Sequence, residues 1–403
     1  MSKFNQTPPN PGMPRPNGGS VPPKQPMDPP QNIKRGGGAG RFFRRFLLSF
    51  FTLIVLLVAA LCLVMNLVFN GPSESARAVL TMSLTEASAT KWVPALFMGK
   101  DAVAAIREKK ADTLPDDMSS TSQIVIDRTN ASDDQWAQHP DGIRIEEVKG
   151  KTYNAHVMLI KDPSRVYMAT SLDDENGSLP EGAHFSTSRP GTRLNQQIEF
   201  EGAAAAINAG AFNDDGTANS TVGSVPAGLV VRDGKVISNT GHEFLPKDTP
   251  TGFAGFNQDD ILVVAKNMTP EQAMEQNIRD LCQFGPVLIM NGVINEEAYN
   301  SNSGYNPRTA IGQRADGTVI FVCIDGRQAG SLGGSYKDVT DIMIEYGAVN
   351  ACNMDGGSSS IMYYHDTQGL YGEAGAYTMI NNYSLFQTEP RRMPNFWMVR
   401  PAQ

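Results

Sequence analysis

The sequence predicts an α+β domain with a large mixed β-sheet and few helices, preceded by a single transmembrane helix. Short runs rich in β-branched residues recur along the C-terminal two thirds of the chain, separated by Gly, Asp and Asn turns. Few runs in the same region have helical periodicity. Near the N-terminus, 24 consecutive residues carry no charge. These three observations place one large domain after one apolar segment.

Residues 1–45 form a basic tail rich in proline and glycine. The tail has eight basic side chains and one acidic one, which gives it a net charge of +7. A stretch with so little to bury cannot offset the entropy of ordering, so we predict that it is disordered. The rest of the chain carries a net charge of −15. A part that acidic is a poor non-specific ligand for nucleic acid, and that class of function is excluded.

Phe46–Phe69 is the apolar segment, and as a helix it would cover about 36 Å against a bilayer core of about 30 Å. Ala76-Arg77-Ala78 has the small-x-small form of a signal-peptide cleavage site. Because the apolar region of a signal peptide is normally only about 7–15 residues long, we predict a retained signal anchor at 46–69. Basic residues crowd the N-terminal flank of this segment. The positive-inside rule therefore predicts a cytoplasmic N-terminus and an extracellular C-terminal domain at the cell membrane.

The anchor is followed by a predicted stalk or linker, residues 70–123, and an extracytoplasmic domain, residues 124–403. Within the stalk, Ala102–Lys110 is amphipathic and predicts a short helix. The cysteines of the domain are three in number and lack C-x-x-C spacing, which argues against a zinc knuckle and a disulfide framework. On the cytoplasmic side, the proline-rich tail could bind a partner.

Strands and turns dominate the predicted domain. Asp233-Gly234 predicts a tight hairpin. Two helices are predicted, Pro270–Asp280 and Tyr336–Tyr346, the second capped by Ser335 or Asp338. The predicted strands are 153–160, 166–169, 203–207, 229–231, 235–237, 261–264, 287–290, 309–311, 319–324 and 348–352.

Two of these strands end in a carboxylate beside a glycine. Asp325 follows one of them and precedes Gly326, and Asp355 follows the other and precedes Gly356. A rigid strand followed by a permissive glycine can hold a reacting group while the backbone approaches a ligand. A single Asp-Gly pair is more simply a turn. Two pairs on consecutive apolar strands linked by a helix favour a functional site.

Several blocks around these residues occur in a recognisable order: NAGAFNDDG, PAGLVVRDGKVI, FGPVLIMNG, NPRTAIGQRADG, CIDGRQAGSLGGS, ACNMDGGSSS and EPRRMPNFWMV. Together they resemble the phosphodiester glycosidase domain family, over residues 150–400. This family includes the enzyme that removes N-acetylglucosamine from a phosphodiester to uncover mannose 6-phosphate, and bacterial exopolysaccharide-associated proteins. The resemblance implies hydrolysis of a sugar-1-phosphodiester.

Such a reaction needs a cation to hold the phosphate and a carboxylate that faces the anomeric carbon, because a phosphate monoester leaves readily. Arg308 and Arg327 are the candidates for the cation, since a guanidinium can bind phosphate oxygens in pairs. Asp355 and Asp325 are the candidates for the base or nucleophile. Further substrate-binding candidates could offer hydroxyl, amide or backbone N–H groups: Asn208, Ser358, Ser359, Gly356 and Gly357.

Other interpretations of the same residues remain open. Both arginines could instead pair with Asp325 or Asp355 in a structural network. Residues 213–216, with the sequence Asn-Asp-Asp-Gly, could bind calcium or form only a turn. Apart from this calcium candidate no metal site is assigned. Gly333-Gly334-Ser335 at a helix start offers another anion site. His156, in an alternating strand, is predicted to be packed or solvated.

The predicted function is that of a membrane-anchored extracytoplasmic glycosidase. It would hydrolyse sugar-1-phosphodiester bonds in cell-envelope or exopolysaccharide glycans. One alternative is a non-catalytic scaffold of envelope assembly that binds phosphorylated glycans, which would keep the arginines but not need both carboxylates. Another is a glycosyl transferase that uses the same site. The sequence does not decide which carboxylate plays which role or whether the reaction retains or inverts configuration.

Overall fold

A computed structural model describes residues 38–85, 90–107, 114–126, 134–212, 222–240, 251–328, 330–383 and 389–402. The chain divides between Leu61 and Cys62 into two compact units. Most of the predicted tail and all of the calcium candidate at 213–216 lie outside the described residues.

Helix α1 (Gly38–Asn70) contains the predicted anchor and starts eight residues before it. The most apolar 18-residue window of its Phe42–Asn70 segment has a mean hydropathy of 3.0 and no buried residues, so the length and composition of the segment fit a membrane span. Residues 38–45, which we predicted to be part of the disordered tail, are helical.

Among its described residues, the segment predicted as a stalk contains three short α-helices, α2 (Glu74–Thr85), α3 (Val93–Met98) and α4 (Lys100–Arg107). Helix α4 corresponds to the predicted amphipathic stretch. After α4, residues 114–126 pack on the domain: the Ser119 amide donates to the Val264 carbonyl, and the Val264 amide donates to Ser119 Oγ, both at 2.9 Å. This part of the predicted linker is therefore bound to the edge of a sheet.

The domain contains four further helices and nineteen strands among the described residues. The helices are α5 (Leu194–Glu201), α6 (Pro270–Glu275), α7 (Glu296–Tyr299) and α8 (Tyr336–Glu345). The strands are β1 (Ile143–Lys149), β2 (Asn154–Ile160), β3 (Val166–Thr170), β4 (Thr192–Arg193), β5 (Ala205–Asn208), β6 (Leu229–Arg232), β7 (Lys235–Asn239), β8 (Gly252–Asn257), β9 (Leu262–Ala265), β10 (Ile278–Phe284), β11 (Val287–Met290), β12 (Val293–Ile294), β13 (Arg308–Arg314), β14 (Val319–Ile324), β15 (Ala348–Met354), β16 (Met362–Asp366), β17 (Ala376–Met379), β18 (Arg392–Met393) and β19 (Asn395–Val399).

Three sheets make up most of the domain. The central sheet has the order β1-β2-β14-β13-β15-β11-β12, the second sheet β7-β6-β10-β8-β9 and the third sheet β17-β16-β5-β19-β3. A small ribbon pairs β18 with β4. The pairs formed by the described strands are antiparallel, for example β13 with both β14 and β15. The predicted α+β class is confirmed.

The main core lies where the inner faces of the three sheets meet. Phe321 of the central sheet, Phe256 of the second and Trp397 of the third are all fully buried in this one cluster. Side chains alternate between faces along each strand, so the neighbours of Phe321 point to the other side of the central sheet and pack with α8. This packing fixes the strand ends of the central and third sheets relative to one another.

Most local predictions agree with the structure. The Asp233-Gly234 hairpin is confirmed, since Arg232 pairs with Lys235 across it. Ser335 and Asp338 both contribute to the capping box of α8. The predicted helix to residue 280 is too long: α6 ends at Glu275, and Asn277, with a φ of 53°, turns the chain into strand β10.

Candidate active site

The two predicted carboxylates lie at the same end of the central sheet, where strands β14 and β15 finish. Strand β13 runs between β14 and β15 and is antiparallel to both, so that Arg308 pairs with Ile324 and Thr309 pairs with Met354. Asp325 and Asp355 are the next residues of β14 and β15. The ladder therefore brings both carboxylates to the end where β13 begins.

Asn208, the last residue of β5, connects the third sheet to this end of the central sheet through hydrogen bonds. It is fully buried, and its Nδ2 donates to the Asp355 carbonyl at 2.6 Å. Its Oδ1 accepts from Thr309 Oγ1 at 2.8 Å and from the Ile361 amide at 3.1 Å. These bonds hold three chain segments together beneath the site. Thr309 was not among the predicted site residues, because a lone hydroxyl inside a strand has no distinctive pattern.

Asp355 is the more exposed of the two predicted carboxylate residues. The residue is half-buried, and its Oδ1 accepts the Gly356 amide at 2.9 Å. Its own amide donates to the Ala209 carbonyl at 3.0 Å, which fixes the turn after β15 against the end of β5. Asp355 is thus held in position and remains partly exposed.

Asp325 is enclosed instead, with 1% of its surface exposed. Its two carboxylate oxygens accept the backbone and side-chain N–H groups of Asn382 at 2.9 and 2.8 Å. His156 Nε2 lies 3.5 Å from Oδ1. His156 is buried, so of the two predicted alternatives, packed or solvated, the structure shows the packed one. Burial, followed by the Asp325 charge, raises the pKa of the nearby Cys323 thiol. Asp325 therefore holds the 381–383 segment in place.

Arg308 is also buried, with 4% of its surface exposed. Its Nε donates to the Gly334 carbonyl at 3.1 Å and its Nη2 to the Ser303 carbonyl at 2.7 Å. The guanidinium lies 4.3 Å from the centre of the Tyr336 ring. These contacts tie the loop before β13 to the start of α8, so Arg308 has a structural role here through carbonyls and a ring.

Arg327 is exposed beside the same end of the central sheet, and its Nη2 donates to Asn306 Oδ1 at 2.9 Å. Its φ of 59° is unusual for a residue other than glycine. Such a conformation costs free energy and is common at functional sites. The geometry leaves Arg327 as the more accessible of the two predicted cations.

A third cation, Arg391, lies at the site, although no sequence pattern predicted a role for it. Its Nη1 donates to Ser358 Oγ at 3.1 Å and to Ser359 Oγ at 3.4 Å, and its guanidinium lies 4.6 Å from the centre of the Phe212 ring. Arg391 is half-buried. Arg391 belongs to the block EPRRMPNFWMV, which resembles the family. No spacing rule, however, predicts that this block contacts the turn after β15.

Tyr383 connects the turn that carries Ser358 to the segment that carries Arg391. Its hydroxyl donates to the Ser358 carbonyl at 2.6 Å and accepts the Arg391 amide at 3.1 Å. Burial raises the pKa of Tyr383, although the hydrogen bond from Arg391 opposes the shift. The hydroxyl therefore stays protonated and remains a donor. Tyr383 follows Asn382, so the contact between Asp325 and Asn382 also supports this connection.

Two glycines explain the Asp-Gly pattern. A Cβ on Gly326 would lie 2.7 Å from the Pro307 ring, and one on Gly356 would lie 2.8 Å from the Pro307 carbonyl oxygen. Both turns close on Pro307, which accepts the Gly357 amide at 2.9 Å. The Gly356 and Gly357 amides, which we expected to bind an anion, donate to Asp355 and Pro307 instead.

The expected anion site at the start of α8 is likewise occupied by the protein. The Ser335 amide donates to Asp338 Oδ2 at 2.7 Å, and the Tyr336 amide donates to Ser303 Oγ at 2.8 Å. Among the described residues, no group of three or more His, Cys, Asp or Glu side chains could hold a metal ion. The site thus offers one accessible carboxylate, two arginines and serine hydroxyls.

Comparison with known proteins identifies relatives of this chain. An SPbeta prophage-derived uncharacterised protein, YomE, of Bacillus subtilis (strain 168) is 26% identical over 203 residues, which are 49% of this chain and 30% of the relative. The chain therefore matches less than a third of that relative's length.

Among solved structures, the chain is similar to the catalytic domain of zebrafish N-acetylglucosamine-1-phosphodiester alpha-N-acetylglucosaminidase auto-inhibited by its pro-peptide. The TM-score is 0.46 at 19% identity, over 64% of this chain and 82% of that one. It is also similar to a hypothetical protein from Synechocystis, with a TM-score of 0.38 at 16% identity, over 64% of this chain and 62% of that one.

The family match covers the residues of the site. Residues 201–400 match the family model for phosphodiester glycosidase. This range contains Asn208, Arg308, Asp325, Arg327, Asp355 and Arg391. The part of the chain that carries the site therefore belongs to the phosphodiester glycosidase family.

Proposed function

We propose that this chain hydrolyses sugar-1-phosphodiesters, releasing the sugar from the phosphate. One observation carries the proposal: the accessible carboxylate of Asp355 stands three residues before Ser358, whose hydroxyl accepts a hydrogen bond from Arg391. A carboxylate and a cation are the two groups that cleavage of a glycosyl phosphate needs, and here one short turn carries the carboxylate and binds the cation through Ser358. Membership in the phosphodiester glycosidase family supports the same reaction class.

The candidate residues divide into two sets by exposure. Asp355 acts on the anomeric carbon as base or nucleophile, and Arg391 and Arg327 bind the phosphate oxygens. Ser358 orients the substrate. The members of the second set are buried and position those of the first, which are half-buried or exposed: Asn208, Arg308, Asp325 and Ser359.

The location follows from α1 and its flanks. We propose that α1 anchors the chain in the cell membrane with the N-terminus in the cytoplasm, because the basic residues precede the apolar run. The domain then lies outside the cell membrane, where cell-envelope or exopolysaccharide glycans provide phosphodiester substrates.

The test is sugar release by the detergent-solubilised full chain from a panel of sugar-1-phosphodiesters, with Asp355→Asn beside the wild type. Loss of a base or nucleophile should lower kcat by about 10²–10⁴-fold. The matched control is Asp316→Asn, which makes the same chemical change in an exposed turn and should leave kcat unchanged.

Three results would contradict the proposal in different ways. Equal loss in both variants would mean that Asp355 has no special role. Substrate binding without release of sugar, in the wild type, would favour the phosphoglycan-binding scaffold. Transfer of the sugar to an added alcohol at the expense of hydrolysis would favour a transferase.

A further inference from the structure

Helix α3 presents an apolar face to the outside of the protein. Trp92, at its N-terminal cap, is 59% exposed, and Leu96 is 69% exposed. Residues four apart lie on the same side of a helix, and Trp92 already has helical dihedral angles. The two large apolar side chains therefore form one exposed patch, which we call the α3 face.

Helix α3 packs against the end of the apolar helix α1 through Phe97. Phe69, near the end of α1, is buried, and its ring stacks on that of Phe97 at 5.4 Å between centres. Asn70 Nδ2 donates to the Phe97 carbonyl at 3.2 Å. These residues all belong to the unit Cys62–Gln403. If α1 spans a membrane, α3 is held at the level where the span leaves the hydrocarbon.

The position of α3 is also fixed from the side of the domain. Thr81 Oγ1 in α2 donates to Met98 Sδ in α3 at 3.6 Å, and the Tyr305 amide donates to Ser83 Oγ in α2 at 2.8 Å. Tyr305 adjoins the loop whose carbonyls accept from Arg308. Contacts between side chains and backbone thus run from α3 to the loop before β13.

The residues beside the α3 face suit a lipid surface. Lys91 and Lys100 are exposed on either side of it. Tryptophan and lysine are the residues that anchor proteins at the boundary between acyl chains and head groups, and lysine is attracted to anionic lipid. Phe97, the residue after Leu96, stacks on Phe69 near the end of α1, so a protein bound to the face would have to fit beside that helix end.

We infer that the α3 face binds the surface of the bilayer on the side where α1 ends, and that this contact holds the domain against the membrane. The predicted stalk then does not act as a free spacer. This inference goes beyond the proposed catalytic function and does not depend on it.

The test uses tryptophan fluorescence, because the chain has three tryptophans and the other two, Trp136 and Trp397, are buried. The full chain is reconstituted at one copy per nanodisc in phosphatidylcholine and phosphatidylglycerol. Matched discs contain phosphatidylcholine brominated near the top of the acyl chain, where bromine quenches tryptophans in contact with it. We expect quenching in the wild type and its loss in Trp92→Phe.

Two further variants make the result specific. Leu96→Asp keeps Trp92 but places a charge on the face, and it should reduce the quenching. Trp136→Phe removes a buried tryptophan and should leave the quenching by bromine in place. Circular dichroism checks that each variant is folded.

Equal bromine sensitivity of the wild type and Trp92→Phe would overturn the inference, and so would failure of the chain to enter the discs. If bromine has no effect but Trp92 is shielded from iodide, a protein surface covers the face, and the lipid assignment is wrong. If shielding appears only at two copies per disc, that surface is a second copy of the chain.

Discussion

Arg391 is the residue of the site whose role can best be separated from folding. It is half-buried, and it donates to two serine hydroxyls and lies over the Phe212 ring. A lysine at this position keeps the charge but loses the planar fork and the stacking. Because hydrogen bonds to charged groups contribute about 1.5–3 kcal/mol, we expect Arg391→Lys to lower kcat/KM about 10- to 100-fold.

The measurement is steady-state hydrolysis of a sugar-1-phosphodiester, with inorganic phosphate as a competitive inhibitor. Weaker inhibition by phosphate in Arg391→Lys would place the guanidinium at the phosphate group. The control is Arg400→Lys, since Arg400 is exposed and stacks on Tyr167 outside the site. An unchanged inhibition constant for phosphate would remove Arg391 from phosphate binding.

At the residue scale, sequence could place the carboxylates but not distinguish them. The Asp-Gly pattern predicted a functional site at Asp325 and Asp355, and the strand ladder brings both to the same end of the central sheet. Only the structure reveals that Asn382, in a distant part of the sequence, encloses Asp325. Burial depends on such long-range partners, and local pattern contains no information about them.

The C-terminal end of helix α5 carries a titrating group outside the site. Glu201 accepts hydrogen bonds from Tyr167 at 2.7 Å and from Gln197 at 2.6 Å. Burial, the largest cause, raises the pKa of Glu201 from 4.5 to about 7. The folded chain therefore keeps a proton that the unfolded chain has already lost, and this stabilisation is lost as the pH rises from about 4.5 through 7.

Glu201→Gln should remove this pH dependence. Between pH 5 and pH 8, the stability of the variant relative to the wild type should rise by roughly 2–3 kcal/mol, because only the wild type loses stability over this range. Chemical denaturation at both pH values measures the difference. Glu199→Gln, an exposed position on the same helix, is the control. A difference between Glu201→Gln and the wild type that does not change with pH would show that Glu201 titrates normally.

At the scale of elements, the strands were predicted better than the ends of the helices. Apolar runs such as Val287–Met290 and Val319–Ile324 match their strands residue for residue. The predicted helix Pro270–Asp280 is longer than the observed one, because residues 278–280 are compatible with both helix and strand. Pairing of β10 with β6 and β8 decides the matter, and this pairing is tertiary.

For the whole molecule, sequence indicated the order of the segments but not their packing. The α+β class followed from the density of short strands, and the structure confirms it. The division into three sheets around one core could not be predicted, because it depends on which strands pair across long separations. The segment predicted as a stalk is likewise packed, since the partners of residues 114–126 lie more than a hundred residues away.

The packing of this segment bears on the fate of the anchor. The tripeptide Ala76-Arg77-Ala78 lies inside α2, where Ala78 is buried and Arg77 Nη2 donates to the Gly71 carbonyl at 2.6 Å. Proteolysis favours exposed, unstructured segments, so α2 should protect the peptide bond after Ala78 from cleavage. We therefore predict that the chain produced in a bacterial host retains α1 and fractionates with membranes, which intact mass and carbonate extraction will measure.

A proline inside α2 provides the control for this prediction. Leu80→Pro breaks the helix next to the tripeptide at a cost of about 3 kcal/mol or more, and it should expose the bond after Ala78. We expect a cleaved fraction that begins at Val79 to rise in this variant and to be absent in the wild type. A wild-type chain that already begins at Val79 would mean that α1 is a signal peptide. In that case the domain would have no transmembrane helix, and only the proposed contact of the α3 face could bind it to the membrane.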